Sequence, residues 1–353
     1  MPPAPDRLPQ EVPLSVTRGQ VLISLVMALV CVALLNLGAS RALDRFTTNR
    51  GYWLVHEKWN LLESLPDPVD WLILGDSSCN QGIMPDLISQ ALGGKAINLC
   101  TVGDMLAVND AWMLNRHIER FGPPKHVIIA HVYDMWPRDL RALNRQPLLA
   151  KVPLSWGYWR NSTPPLALTG EDERRLWVAR YLPLWAENKT LTSWLRHPGV
   201  LWRRDLSMTP NGFMAYEKPN PANVRRESKA HIDSTHKRRF VLSKINRDAL
   251  EHIRSLADQH GFEVFIAAGP LYQGMWRDDG FRRHFEAMMR ALDSVAKKSP
   301  RMHVLLHDPV RFEAKQLENA DHLVGPAAAE YTRKLIEAIQ QSSKATAPAA
   351  SST

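Results

Sequence analysis

The chain has 353 residues, an apolar fraction of 45% and a formal net charge of +8. That length holds one large domain with an appendage, or two modest domains. The composition admits a sizeable core and excludes a disordered or collagen-like body. The basic residues are dispersed, which suits an anionic membrane surface, an acidic glycan or simply a solvated basic exterior. With no zinc-finger spacing, helix-turn-helix signature or aromatic RNA-binding motif, nucleic acid is not an expected partner.

Residues 1–20 are proline-rich and expected to be flexible. Val21 to Ala39 then runs for nineteen residues without a charge. As a helix it would be about 28 Å long, enough for the hydrocarbon core of a bilayer. A cleaved signal peptide competes, because Gly38-Ala39-Ser40 supplies small residues, but the run exceeds the usual apolar signal core of about 7–15 residues. A retained anchor is therefore expected, followed by a juxtamembrane segment over 40–68. Arg7 and Arg18 precede the span while Arg41, Arg45 and Arg50 follow it, so charge alone does not orient it.

Five short apolar runs read as buried parallel strands: Trp71 to Gly75, Ala96 to Cys100, His126 to His131, Glu263 to Ala268 and Met302 to Leu306. Helical patterns separate them. One opens at Pro85 and closes at Gly93-Gly94, and others run from Asp104 to Arg120, Asn246 to His260, Phe281 to Lys298 and Pro326 to Gln340. Alternation of this kind predicts an α/β domain over 69–341, three-layered around a five-stranded parallel sheet, with the following loops delivered to one crevice. The stretch 137–238 breaks the rhythm and reads as a mainly helical insertion covering or flanking that crevice. Residues 342–353 read as a disordered tail of small residues.

The most informative segment runs from Trp71 to Leu87, WLILGDSSCNQGIMPDL. A strand leads directly into Gly75-Asp76-Ser77, so Ser77 sits on the first turn after it, with backbone N–H groups able to face a developing oxyanion. The same triplet also serves as an ordinary turn or helix cap. Near the other end, Asn319-Ala320-Asp321-His322-Leu323 places a histidine in a loop before the last helix, where it would reach the same crevice.

These residues resemble the SGNH (GDSL-type) hydrolase superfamily: GDSS after the first strand, Asn98-Leu99 leading to Gly103 after the second, and DHL before the last helix. The apolar N-terminal segment, Gln81-Gly82-Ile83-Met84-Pro85 and Pro124-Lys125 are similar to membrane-anchored bacterial envelope members, of the DltD-like and polysaccharide O-acetylation types. The resemblance covers about 68–140 and 240–340. It implies a flavodoxin-like three-layer fold, Ser77 as nucleophile, His322 as general base, and the backbone N–H groups of Ser77 and Gly103 as oxyanion donors, with acyl-enzyme chemistry. It further implies an inner-membrane protein with its main domain outside the cytoplasm, an envelope glycan or acyl donor as substrate, and a membrane acyltransferase as a candidate partner.

Two positions depart from the family. Its acid, three residues before the histidine, is Asn319 here; Asp321, Glu318 and Asp308 are the candidate substitutes. Its oxyanion asparagine after the third strand is missing from Ala130-His131-Val132-Tyr133-Asp134-Met135, where His131 or Tyr133 could donate but buried packing is the simpler role. Asp76 and Asp134 are further site candidates, Asp134 equally a cap or a structural carboxylate. Two functions follow, an acyl-ester hydrolase or O-acyltransferase, and a catalytically reduced domain that binds glycan or scaffolds an envelope assembly.

The chain has three cysteines. Cys31 lies in the apolar segment; Cys79 and Cys100 end up side by side in the family fold and are a candidate disulfide, or else small buried apolar residues. The absence of CxxC spacing, and histidines scattered without ligand spacing, argue against a metal, and no cofactor is expected. No GxGxxG or GxxxxGK loop follows the first strand, which disfavours nucleotide binding. Trp136, Trp156, Trp159, Trp177, Trp185, Trp194 and Trp202 cluster in or beside the insertion, as packing residues or as sugar-stacking or membrane-interface residues. Arg203-Arg204, Arg225-Arg226 and Lys237-Arg238-Arg239 read as exposed charge, or as contacts for phosphate or acidic glycan.

Overall fold

The computed structural model describes residues 17–46, 50–145, 147–196, 208–214, 216, 218–237 and 239–346. Trp202, Arg203, Arg204, Arg238 and the side chain of Trp194 lie outside the described residues.

The first half of the chain runs α1 (Arg18–Phe46), α2 (Arg50–Glu63), β1 (Trp71–Gly75), α3 (Ser77–Gly82), α4 (Pro85–Leu92), β2 (Ala96–Asn98), α5 (Leu106–Phe121) and β3 (His126–His131). The insertion contributes α6 (Leu140–Arg145), α7 (Tyr158–Asn161), α8 (Gly170–Tyr181), α9 (Pro183–Ala186), α10 (Asn188–Arg196) and α11 (Pro221–His236). The remainder is α12 (Lys244–His260), β4 (Glu263–Ala268), β5 (Leu271–Tyr272), α13 (Gln273–Trp276), α14 (Asp279–Ala296), β6 (Met302–Leu305), β7 (Arg311–Phe312) and α15 (Gly325–Thr346).

The main sheet has five parallel strands in the order β2-β1-β3-β4-β6. Successive side chains on a strand point to opposite faces, and here both faces are apolar. Leu72, Leu74, Val127, Ile129, Val264 and Ile266 join one buried cluster with residues of α2, α5, α12 and α14. Trp71, Ile73, Ile128, Ala130, Phe265 and Ala267 join the other, with residues of α4 and α15. The near-continuous hydrophobic runs are thus the signature of strands covered twice.

Several boundaries move. β2 stops at Asn98 because the Asn98 Oδ1 turns back to accept from the Cys100 N–H at 3.0 Å. β6 stops at Leu305, since Leu306 adopts φ of 57° and leaves the strand. The last helix runs to Thr346, so residues 342–346 are helical and not tail. The short parallel pair β5–β7 has no counterpart in the sequence reading; two residues per strand carry no periodicity.

α2 is tied to the sheet by Lys58, which is fully buried. Its Nζ donates to Asn98 O at 2.7 Å, to Asn98 Oδ1 at 3.2 Å and to Gly212 O, while burial pulls its pKa well below the ordinary lysine value. Lys58→Met is expected to cost about 1–3 kcal/mol, because buried carbonyl oxygens lose donors that no water replaces. Denaturant unfolding measures this; an unchanged midpoint would mean the ammonium's desolvation cancels its bonds.

Candidate active site

The sheet order changes direction between β1 and β3: the chain leaves β1 for β2 on one side, then returns to β3 on the other. Loops diverge there and leave a crevice at the carboxyl ends of the strands. Gly75 makes the exit from β1 possible. Its φ is +149°, and a Cβ would stand 1.9 Å from Ala130 O of β3. The chain then turns into α3 with Asp76 as N-cap and Ser77 as the first helical residue.

Ser77 and Ser78 divide sharply. Ser78 is fully buried and bonds Asp76 Oδ1 through both its N–H, at 2.9 Å, and its hydroxyl, at 2.6 Å. Ser77 is the half-buried one, and its Oγ lies 2.8 Å from His322 Nε2, across 245 residues of sequence. Histidine and serine are brought together by the loop between β7 and α15, itself folded by the bridge Leu317–Leu323 and the bond from Glu318 N–H to His322 O at 2.9 Å.

Behind the histidine stands Asn319, which fixes the imidazole's tautomer. Asn319 Oδ1 accepts from the backbone N–H groups of Asp321 at 3.1 Å and His322 at 2.8 Å. The amide nitrogen must then be the atom 2.6 Å from His322 Nδ1; the reverse orientation would aim an NH₂ at two N–H donors. A donating amide makes Nδ1 an acceptor, so the ring proton sits on Nε2, facing Ser77. Asp321 Oδ1 lies 3.8 Å from Nε2 and, when ionised, favours the same tautomer. Burial, with Asp134, Asp76 and Glu227 adding repulsion against the pull of His231, raises the Asp321 carboxyl to about 7.

Asp76 does not touch Ser77's hydroxyl in this arrangement. Its Oδ2 accepts from Val132 N–H at 2.7 Å and stands 3.4 Å from His131 Nδ1. His131 Nε2 in turn lies 2.5 Å from Asp110 Oδ2. All three side chains are buried. Burial lowers the pKa of His131, but Asp110 and Asp76 outweigh it and hold the ring at about 9. For Asp76 burial is likewise opposed, by His131, Ser78 and Val132, leaving the carboxyl at about 2. Burial raises Asp110. The result is a protonated His131 between Asp76 and Asp110, tying together β3, α5 and the exit of β1 that carries Ser77. Asp110 carried no signal in the sequence, being one of two adjacent polar residues in the buried half of α5.

Asp134 pairs with Arg138 through Nη2 at 2.7 Å, and Arg138 Nη1 reaches Asp104 Oδ1 at 2.8 Å. The guanidinium occupies the space beside Gly103: a Cβ there would be 3.0 Å from Arg138 Nη1 and 3.8 Å from Asp76 Cβ. Gly103 therefore borders the crevice next to a cation that the sequence reading passed over, although Asp134 and Arg138 stand four apart as a helical ion pair would. Tyr133 donates to or accepts from His231 Nδ1 of α11 and packs edge-on against Phe281. The Tyr216 ring lies 5.9 Å from that of His322. Tyr216 and His231 bring the insertion to the crevice wall.

Asp308 is elsewhere. Its side chain is 71% exposed and pairs with Arg311 at 3.1 Å, so it does not serve His322. Among the described residues no group of three or more His, Cys, Asp or Glu is arranged so that it could hold a metal ion. Cys79 and Cys100 are joined in a disulfide, with Cα atoms 5.8 Å apart, and Cys31 is exposed on α1. Of the tryptophans in or beside the insertion, Trp136 and Trp159 are fully buried, Trp156 is partly buried, and Trp177 and Trp185 are 44% and 75% exposed.

No protein-family model matches the chain, and no curated protein matches it. Among solved structures it is similar to a candidate platelet activating factor from Streptococcus pneumonia, at 12% identity and a TM-score of 0.38, over 88% of this chain and 98% of that one.

Proposed function

We propose that the chain is a serine acyl-ester hydrolase or O-acyltransferase of the SGNH type, acting on a cell-envelope glycan and held to the inner membrane by α1. The observation that carries this reading is the 2.8 Å contact between Ser77 Oγ and His322 Nε2 at the rim of a parallel sheet. Ser77 Oγ would attack the ester carbonyl, its proton passing to His322 and then to the leaving alcohol; water or a sugar hydroxyl would resolve the acyl-enzyme. The N–H groups of Ser77 and Gly103 are the oxyanion donors of this reading, with the Arg138 guanidinium in place of the absent asparagine. An extracytoplasmic position for the domain is supported by the Cys79–Cys100 disulfide, which an oxidising compartment sustains. A membrane acyltransferase would supply the acyl group in the transferase form.

The second reading, a catalytically reduced domain that binds glycan or scaffolds an envelope assembly, is favoured by one observation: Asn319 favours the His322 tautomer whose Nε2 already carries a proton, so the ring must change tautomer before it accepts Ser77's. Labelling the detergent-solubilised chain with a fluorophosphonate separates the two. Wild type is expected to label slowly and to turn over an aryl acetate, with both signals lost in Ser77→Ala and in His322→Ala. A folded wild type that neither labels nor turns over aryl acetate would leave the scaffold reading standing.

A further inference from the structure

α1 is long and apolar enough to cross a membrane, and its side chains from Val21 to Leu37 are largely exposed. Its last turns are not. Asn36, Ala39 and Leu43, spaced along one stripe, are buried against the rest of the chain. Asn36 is the pivot: its Nδ2 donates to Val32 O at 3.0 Å, and its Oδ1 accepts the backbone N–H of Leu184 at 3.2 Å. Leu184 is the second residue of α9, where a helix N-terminus leaves donors without intrahelical partners. The start of α9 is thus capped by the anchor helix itself.

This bond fixes a height. Asn36 lies three residues inside the end of the uncharged run, about 4.5 Å along the axis, which is just on the acyl side of the headgroup–acyl boundary if α1 spans. Next to Leu184 stands Trp185, 75% exposed. Trp177 and Tyr181, one turn apart on α8, are each 44% exposed, and Leu195 on α10 is 79% exposed. Such side chains on a globular surface call for an occupant. Arg174, Arg175, Lys189 and Arg196 are exposed on the same three helices, Arg175 paired with Glu171. Arg174, Arg175 and Trp185 also line a cavity of about 300 Å³.

We propose that α8, α9 and α10 form a collar that lies in the membrane interface around the carboxyl end of α1, with Trp177, Tyr181, Trp185 and Leu195 entering the headgroup–acyl boundary and the arginines and lysine meeting anionic phosphates. Tryptophan and tyrosine suit that boundary because their rings are apolar and their N–H or O–H tips are polar. A basic fringe adds attraction to anionic lipid. The collar rests on the reading of α1 as a spanning anchor and adds to it a fixed orientation: the catalytic domain is docked on the bilayer surface instead of swinging from a tether.

Spin-label accessibility in the full-length chain tests this. With Cys31→Ser as background, a nitroxide is placed by Ala186→Cys beside Trp185, by Val26→Cys within the span, and by Arg333→Cys on the exposed side of α15. The chain is reconstituted in phosphatidylcholine vesicles with and without phosphatidylglycerol. The ratio of oxygen to aqueous nickel collisions at position 186 is expected to be several-fold above that at 333, below that at 26, and higher in the phosphatidylglycerol vesicles. Position 26 deep with position 186 as wet as 333 overturns the collar alone. Position 26 wet overturns the anchor and the collar with it. Spin–spin broadening at 186 that grows with protein density assigns the surface to a second copy of the chain and overturns the lipid.

Discussion

Asn319→Asp is expected to raise the turnover of an aryl acetate by about 10³–10⁴, the inverse of the loss that the opposite exchange causes in a serine protease triad. The reason is local. An aspartate keeps one oxygen where Asn319 Oδ1 accepts the N–H groups of Asp321 and His322, so the loop need not move. Its second oxygen replaces the NH₂ that stands 2.6 Å from His322 Nδ1. The ring proton then belongs on Nδ1, bonded to the carboxylate, and Nε2 presents a lone pair to Ser77 Oγ at 2.8 Å. The carboxylate also stabilises the imidazolium that forms as Ser77 gives up its proton. Steady-state kinetics with Asn319→Asp, and with Asn319→Asp carrying Ser77→Ala as the blank, measure the gain. A variant that folds as wild type yet shows no Ser77-dependent increase would mean that something other than the missing acid limits this site, and would count heavily for the scaffold reading.

The sequence made the sheet legible because five strands buried on both faces write continuous apolar runs, and Gly75-Asp76-Ser77 interrupts the first of them at the crevice. The α/β architecture with its five-stranded parallel sheet, helical insertion and apolar N-terminal helix was readable on that basis. The ends of β2 and β6 were not, since Asn98 and Leu306 leave the ladder through a side-chain bond and a left-handed backbone, neither of which changes the hydrophobic pattern. In the site, position after the first strand and before the last helix pointed to Ser77 and His322, and the family resemblance pointed to the anomalous Asn319. Asp308 stayed a candidate because position after a strand says nothing of which way a loop turns. Arg138 and Asp110 went unread for a different reason: each matters through a partner far away in sequence, Arg138 beside Gly103 and Asp110 beneath His131.

Asp110→Asn is expected to cost about 2–3 kcal/mol of stability, the upper range for a hydrogen bond to a charged group, because His131 loses its 2.5 Å partner and keeps only Asp76 at 3.4 Å. His131 and Asp110 are each 1% exposed and Asp76 is fully buried, so neither water nor salt screens the loss. The same contacts set the pH dependence. His131 is raised from 6.5 to about 9 in the folded chain, so its contribution is complete below about pH 6.5 and is lost as pH rises through 9; that shift amounts to about 3 kcal/mol. Asp76 is lowered from 3.8 to about 2, and its contribution, present above about pH 4, is lost as pH falls through 2. Asp110, raised by burial, works against Asp76 on the acid side, so the alkaline limb is the cleaner measurement. Unfolding free energies of the disulfide-intact chain in detergent should fall between pH 6.5 and 9.5 in wild type and fall less in Asp110→Asn, because an amide no longer holds the imidazolium. Equal slopes in the two proteins would place the titrating charge elsewhere. The brace also bears on chemistry. Asp76 and His131 connect the exit of β1, which carries Ser77, to the end of β3, whose following loop sets Arg138 beside Gly103, so slackening them should lower Ser77 labelling more than the fraction unfolded accounts for.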